Sequence, residues 1–202
     1  MILLPDYPSG VPGKPPLGSR REVASLDDEI MRFVAAHRTP ALTWLADAVQ
    51  TAGDSRQVVG VLGFAAFAVV VALRAWRVGA AAVGALVAAW LAVDALKPVV
   101  QRPRPDAALA VLPLDGWAMP SGHAARLAAV SVAVLVAARW SASGDRRAAM
   151  ALAGGVVVAN VAVGVFMVYL GAHWPTDVLA GWALGAALGW AAGRLLRVPL
   201  RT

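Results

Sequence analysis

AAMALAGGVVVANVAVGVFMVYLGA, residues 148–172, runs for 25 positions without a charged side chain. About 20 apolar residues in a helix cross roughly 30 Å of hydrocarbon, so this segment is long enough to span a bilayer. On either side of it, comparable runs fall at about 57–74, 78–96, 121–139 and 177–196, and the central one occupies about 147–170. The pattern predicts an all-α, polytopic membrane bundle of about five transmembrane helices. Whole-chain composition agrees: 59% of the 202 residues are apolar and 15% charged, against about 45–50% and 25% in soluble domains. Nineteen glycines among Ala, Val and Leu suit helices whose backbones approach closely in lipid.

The 18 basic and 12 acidic residues leave a net charge of +6, but the basic residues sit in short groups between apolar runs. That layout is the one membrane topology produces, and no nucleic-acid partner is expected. Arg74 and Arg77, then Arg139, Arg146 and Arg147, then Arg194, Arg197 and Arg201 follow the first, third and fifth spans. By the positive-inside rule these ends are cytoplasmic, which puts loops 97–120 and 171–176 together on the outer face of a multi-pass cell-membrane protein. Lys14, Arg20, Arg21, Arg32 and Arg38, ahead of the first span, run against that rule.

Residues 1–22 carry five prolines and three glycines and read as a flexible tail, leaving 23–202 as one membrane domain. No secretory signal is expected, since the apolar Met1–Leu4 ends at Pro5 and Asp6. Ser25 and Asp28 resemble a capping box, and Leu26, Ile30, Phe33, Val34 and His37 follow at helical spacing. Thr39-Pro40 opens a second short amphipathic helix that ends near Gly53-Asp54. Both are expected to lie at the membrane interface. Zero cysteines leave chemistry to His, carboxylates, hydroxyls and cations.

Most of the reactive groups fall in the two outer loops. Lys97, Arg102 and Arg104 precede Pro120-Ser121-Gly122-His123 at the start of the third span. Cations and a histidine beside the backbone N–H groups of a helix start make an anion site. In the second loop, Asp177 follows His173 by four residues, a spacing that lets a carboxylate orient an imidazole as nucleophile or base. Read singly, the cations are span anchors, the histidines are satisfied interfacial residues and Asp177 is a helix cap. Read jointly on one face, they make a site.

These blocks resemble the type-2 phosphatidic acid phosphatase superfamily, with its motifs K-x6-R-P, P-S-G-H and S-R-x5-H-x3-D. Lys97, Arg104 and Pro105 fill the first, Pro120 to His123 the second, and His173 and Asp177 end the third, over about residues 25–196. The resemblance implies that His173 attacks phosphorus to form a phosphohistidine, with Asp177 orienting it and His123 protonating the leaving oxygen. Lys97, Arg104, Ser121 and the Gly122 N–H then bind phosphoryl oxygens, with no metal and no cofactor. The implied substrates are lipid-linked phosphates: undecaprenyl pyrophosphate, phosphatidic acid, phosphatidylglycerophosphate or prenyl-linked sugar phosphates. Cation clusters at a helix N-terminus suit phosphoryl transfer, which asks mainly for positioning and charge stabilisation.

One departure stands out. The third motif's Ser and Arg should occupy 166 and 167, where this chain has Phe166 and Met167. Arg126, one turn after His123, is the expected replacement, because an arginine inside a span is costly without a function. Asp94 is placed to pair with Lys97 or Arg126, and Asn160 to bond a neighbouring helix. Trp117, Trp140, Trp174 and Trp190 read as an interface belt, with Trp174 also near the site entrance. The missing arginine motivates an alternative, a non-catalytic lipid-phosphate binding or transport protein on the same scaffold. A soluble haloperoxidase of the same superfamily is disfavoured by the apolar spans.

Overall fold

The computed structural model describes residues 17–55, 74–111, 114–138 and 146–196. They form α1 (Leu17–Ala36), α2 (Pro40–Asp54), α3 (Trp76–Val100), α4 (Gly122–Ala138), α5 (Arg146–Tyr169) and α6 (Pro175–Leu195), with no strand among the described residues. The all-helical class is as expected. α3 and α6 are each long and apolar enough to cross a membrane, whereas the apolar stretches Gly122–Ala137 and Ala153–Tyr169 of α4 and α5 are shorter. The expected span at 57–74 lies outside the described residues.

α1 begins at Leu17, eight residues before the expected cap at Ser25 and inside the segment read as tail. Past Pro15-Pro16 the residues Arg20, Arg21, Glu22 and Ala24 are good helix formers, which accounts for the earlier start. α2 starts where expected: Thr39 is its N-cap, with Oγ1 accepting from the Leu42 N–H, and Pro40 takes the first position. In both helices several of the larger apolar side chains face outward, while Met31 of α1 faces in. Leu26 and Phe33 on α1 and Leu42, Trp44 and Leu45 on α2 are exposed, while Asp27, Met31, Ala46 and Gln50 are buried.

The same inversion governs the long helices. Their contacts are made by small residues: Ala81, Ala85 and Ala89 of α3 pack with Ala129, Ala133 and Ala137 of α4. Val83, Val87, Trp90 and Leu91 of α3 and Val157, Val158, Val161 and Val165 of α5 point outward. A soluble domain buries its large apolar side chains; here the solvent for that face is lipid, and small residues let backbones meet. The chain is a membrane protein. On α6, Gly181, Gly185, Gly189 and Gly193 recur every fourth position on the face against α4. A Cβ on Gly181 would lie 2.6 Å from the Ser121 carbonyl oxygen, and one on Gly185 would collide with that of Ala125.

Gly185→Val is therefore expected to separate α4 from α6, since the obstacle is backbone and cannot rotate away. The cost is about 1–3 kcal/mol of overpacking, read as a lower melting temperature in detergent. Asn160 of α5 bonds a neighbouring helix as expected, donating from Nδ2 to Ser131 Oγ of α4 at 3.0 Å.

A polar knot fixes the α1–α2 hairpin to the end of α5. Arg38 donates to the Tyr169 and Leu109 carbonyls at 2.7 and 2.6 Å, and the Tyr169 hydroxyl accepts from Thr39 N–H at 2.7 Å. With the hairpin held there, Asp27 near the middle of α1 meets Thr176 at the start of α6, and Asp54 at the end of α2 meets His123 at the start of α4.

Candidate active site

α4 and α6 start side by side, because the Ser121 N–H donates to the Asp177 carbonyl at 3.0 Å. Two positive helix ends thus open on one region. That bond also corrects one expectation: the Ser121 N–H is engaged and unavailable to an anion. Its hydroxyl is different, since Ser121 Oγ is buried without a hydrogen-bond partner. A buried unpartnered hydroxyl calls for an explanation, and a bound oxyanion supplies one. Gly122 contributes an amide in the first turn of α4, where no intrahelical acceptor exists.

The loop carrying His173 is shaped by the end of α5. Gly171 adopts φ +73 and lies so close to the 109–110 backbone that a Cβ would sit 2.5 Å from the Leu109 carbonyl oxygen. Only glycine meets both demands. The Met167 carbonyl then accepts from the Ala172 and His173 N–H groups at 3.0 and 3.3 Å, turning His173 inward. His173 is buried, with Nδ1 3.7 Å from Asp177 Oδ2, an ion-pair distance longer than a hydrogen bond. Burial is the main effect on its imidazole and pushes its pKa below the ordinary histidine value; Asp177 opposes that shift, and Arg104 and Lys97 reinforce it.

Asp177 is held from two sides. Oδ2 accepts the Trp174 N–H at 2.9 Å, so the residue also closes the first turn of α6, and Oδ1 accepts from Arg102 Nη1 at 2.8 Å. Arg102 continues to Asp27, whose carboxylate also accepts from Thr176. The Trp174 indole donates to the Pro103 carbonyl at 2.9 Å and lies 5.5 Å from the Arg102 guanidinium carbon. Arg102 was expected among the anion-site cations; the structure gives it to two buried carboxylates instead. Asp27 lies on α1. Its partner is 75 positions away, and no local spacing signals the pair.

The remaining expected residues converge. Lys97 in the last turn of α3 is within electrostatic reach of Arg104, Arg126 and Asp177. His123 is within reach of His173, Arg126 and Lys97. Arg104 donates from Nη1 to the Ala172 carbonyl at 2.6 Å and from Nε to that of Asp115 at 3.1 Å, which bolts the loop after α3 to the loop before α6. The Arg126 side chain folds back along α4 toward its start, as helical side chains do. A Cβ on Gly122 would sit 3.5 Å from Arg126 Nη2, so the guanidinium lies over the first turn beside His123. Asp94 acts on Lys97 electrostatically, with no direct ion pair among the described residues.

Paired histidines, a carboxylate behind one of them and cations around both match a known sequence family: the PAP2 superfamily profile covers residues 76–198. The chain belongs to the PAP2 superfamily. No individual curated sequence matches it. Among solved structures, the PAP2 fold here is similar to a transmembrane PAP2-type phosphatidylglycerolphosphate phosphatase from Bacillus subtilis, with TM-score 0.74, 24% identity and 86% of each chain covered. It is also similar to LpxE of Aquifex aeolicus, with TM-score 0.66, 22% identity, and 84% of this chain and 95% of that one covered. Asp27 and Asp54, which meet the site from α1 and α2, both lie before the stretch matched by the PAP2 profile.

Proposed function

We propose that the chain is a lipid phosphate phosphatase: it hydrolyses a phosphomonoester or pyrophosphate on a lipid, without a metal, through a phosphohistidine at His173. The observation that carries this reading is the gathering of His123, Lys97, Arg104 and Arg126 around a buried His173 that is backed by Asp177. His173 directs Nδ1 at the carboxylate, which leaves Nε2 to attack phosphorus. As the P–O bond breaks, His123 gives its proton to the leaving lipid oxygen; it then takes a proton from the water that cleaves the P–N bond. Lys97, Arg104, Arg126, the Ser121 hydroxyl and the Gly122 amide hold the equatorial oxygens.

The candidate substrates are lipid-linked: phosphatidylglycerophosphate, as for the similar Bacillus subtilis protein, phosphatidate, prenyl pyrophosphate such as undecaprenyl pyrophosphate, or a prenyl-phosphoryl sugar phosphate. The pocket mouth lies at headgroup depth in a bundle of about five spans, with α1 and α2 on the interface and the active site on the outer face. In that arrangement the phosphate enters sideways while its chains remain in lipid.

Rapid-quench labelling with 32P-lipid phosphate in the presence of EDTA tests the reading. An acid-labile, base-stable phosphoenzyme mapping to His173 is expected, and phosphate binding without label or release would favour the binding-protein alternative. The pH profile adds a signed prediction. Neutral His173 is the attacking form, and burial holds its pKa down. Phosphoenzyme formation should therefore persist below the usual histidine range near ~6.5 and fall only as pH drops through the lowered value. An acid limb whose midpoint lies at or above that ordinary value would contradict the assignment.

A further inference from the structure

The end of α2 is fitted against His123. Asp54 Oδ1 lies 3.3 Å from His123 Nε2, a charge contact in which that nitrogen makes no hydrogen bond, and Asp54 Oδ2 accepts from the Nε2 of buried Gln50, one turn earlier, at 3.1 Å. The preceding Gly53 touches the same ring: a Cβ there would come 2.5 Å from His123 Nε2. Two residues of α2 thus meet this imidazole, and Gln50 holds one of them. Around it, Lys97 comes from α3, Arg126 from α4 and His173 from the loop before α6, and Asp54 supplies the opposing charge. Asp54 is also within reach of Arg104.

We infer that Asp54 is the positioning residue of His123, the counterpart for the proton donor of what Asp177 is for the nucleophile. The inference rests on the phosphatase reading above. A carboxylate facing Nε2 favours a proton on that nitrogen through its charge, and Gly53 packs against the ring, so Nδ1 is the nitrogen left to meet the substrate. In the first step the His173–phosphorus bond forms, the phosphorus–leaving-oxygen bond breaks, and the Nδ1 proton of His123 passes to that oxygen. In the second, water attacks phosphorus, returns a proton to Nδ1, and the P–N bond breaks to release phosphate. Gln50 holds the carboxylate in register, and Gly53 is required because any side chain would displace the ring.

A merely structural residue would impair all substrates alike, so the discriminating test varies the leaving group. An alkyl lipid phosphate needs a proton on its departing oxygen; p-nitrophenyl phosphate releases a stable phenolate and does not. Asp54→Asn in the full-length protein is expected to slow turnover of the lipid phosphate by about 10- to 100-fold. KM should be nearly unchanged, nitrophenyl phosphate little affected, and Asp54→Glu should recover most of the loss. Equal losses on both substrates, no loss on the lipid, or a gain that marks Asp54 as an anion blocking the phosphate site would each overturn the inference. Should Asp54→Asn not fold, Gln50→Ala must show the same leaving-group selectivity, smaller in size, and its absence likewise overturns it. A wild-type protein inert toward both substrates would remove the phosphatase reading itself, a separate outcome.

Discussion

His173→Ala is expected to abolish phosphate release and phosphoenzyme together, by at least about 10^4-fold, the scale on which a covalent nucleophile matters. The fold should survive. Asp177 behind the imidazole is secured by Arg102 and by the Trp174 amide, and the His173 Nδ1 makes no hydrogen bond whose loss would orphan a partner. Lys97, Arg104 and Arg126 remain in place, so the variant should still bind a lipid phosphate with affinity near wild type. Binding kept and turnover lost identify a nucleophile. A variant that retains turnover near wild type would refute the assignment, and one that loses binding as well would make His173 part of the anion cradle. Titration of lipid phosphate in detergent, beside quenched-flow labelling, separates the three.

How much of this was legible in the sequence depends on range. Features written in neighbouring residues were readable: Thr39-Pro40 as a helix start, the four-residue spacing of His173 and Asp177, and the apolar runs that became α3, α5 and α6. Lys97, Arg104, His123 and Arg126 were placed on one face by topology, and the structure brings them together. Long-range pairing was not readable. Asp27 sits in a helix whose apolar stripe faces outward, so the buried side is the one bearing the charge, and only tertiary contact with Arg102 reveals why. Asp54 closes α2 by sequence and meets His123 only once α2 is folded over α4. The engaged Ser121 N–H is a third case, since its acceptor is the backbone of α6.

Two arginines beside the site should fail in different assays. Arg126→Ala is expected to lower kcat/KM by about 10^2- to 10^3-fold, the cost of removing one donor from developing phosphoryl charge, with the melting temperature nearly unchanged. Among the described residues its guanidinium makes no hydrogen bond or ion pair, and it lies over Gly122 at the anion site, so its loss orphans nothing in the folded protein. Lysine should restore only part of the activity, because a point charge cannot reproduce the planar fork. Arg102→Ala reverses the pattern. It leaves Asp27 and Asp177, both buried, without their shared cation, and breaking a buried pair in this way costs about 3–5 kcal/mol. Melting in detergent should fall sharply, and activity with it, because Asp177 no longer fixes His173. If Arg126→Ala lowers the melting temperature as much as Arg102→Ala, or leaves kcat/KM intact, Arg126 does not stand in for the arginine absent at Met167.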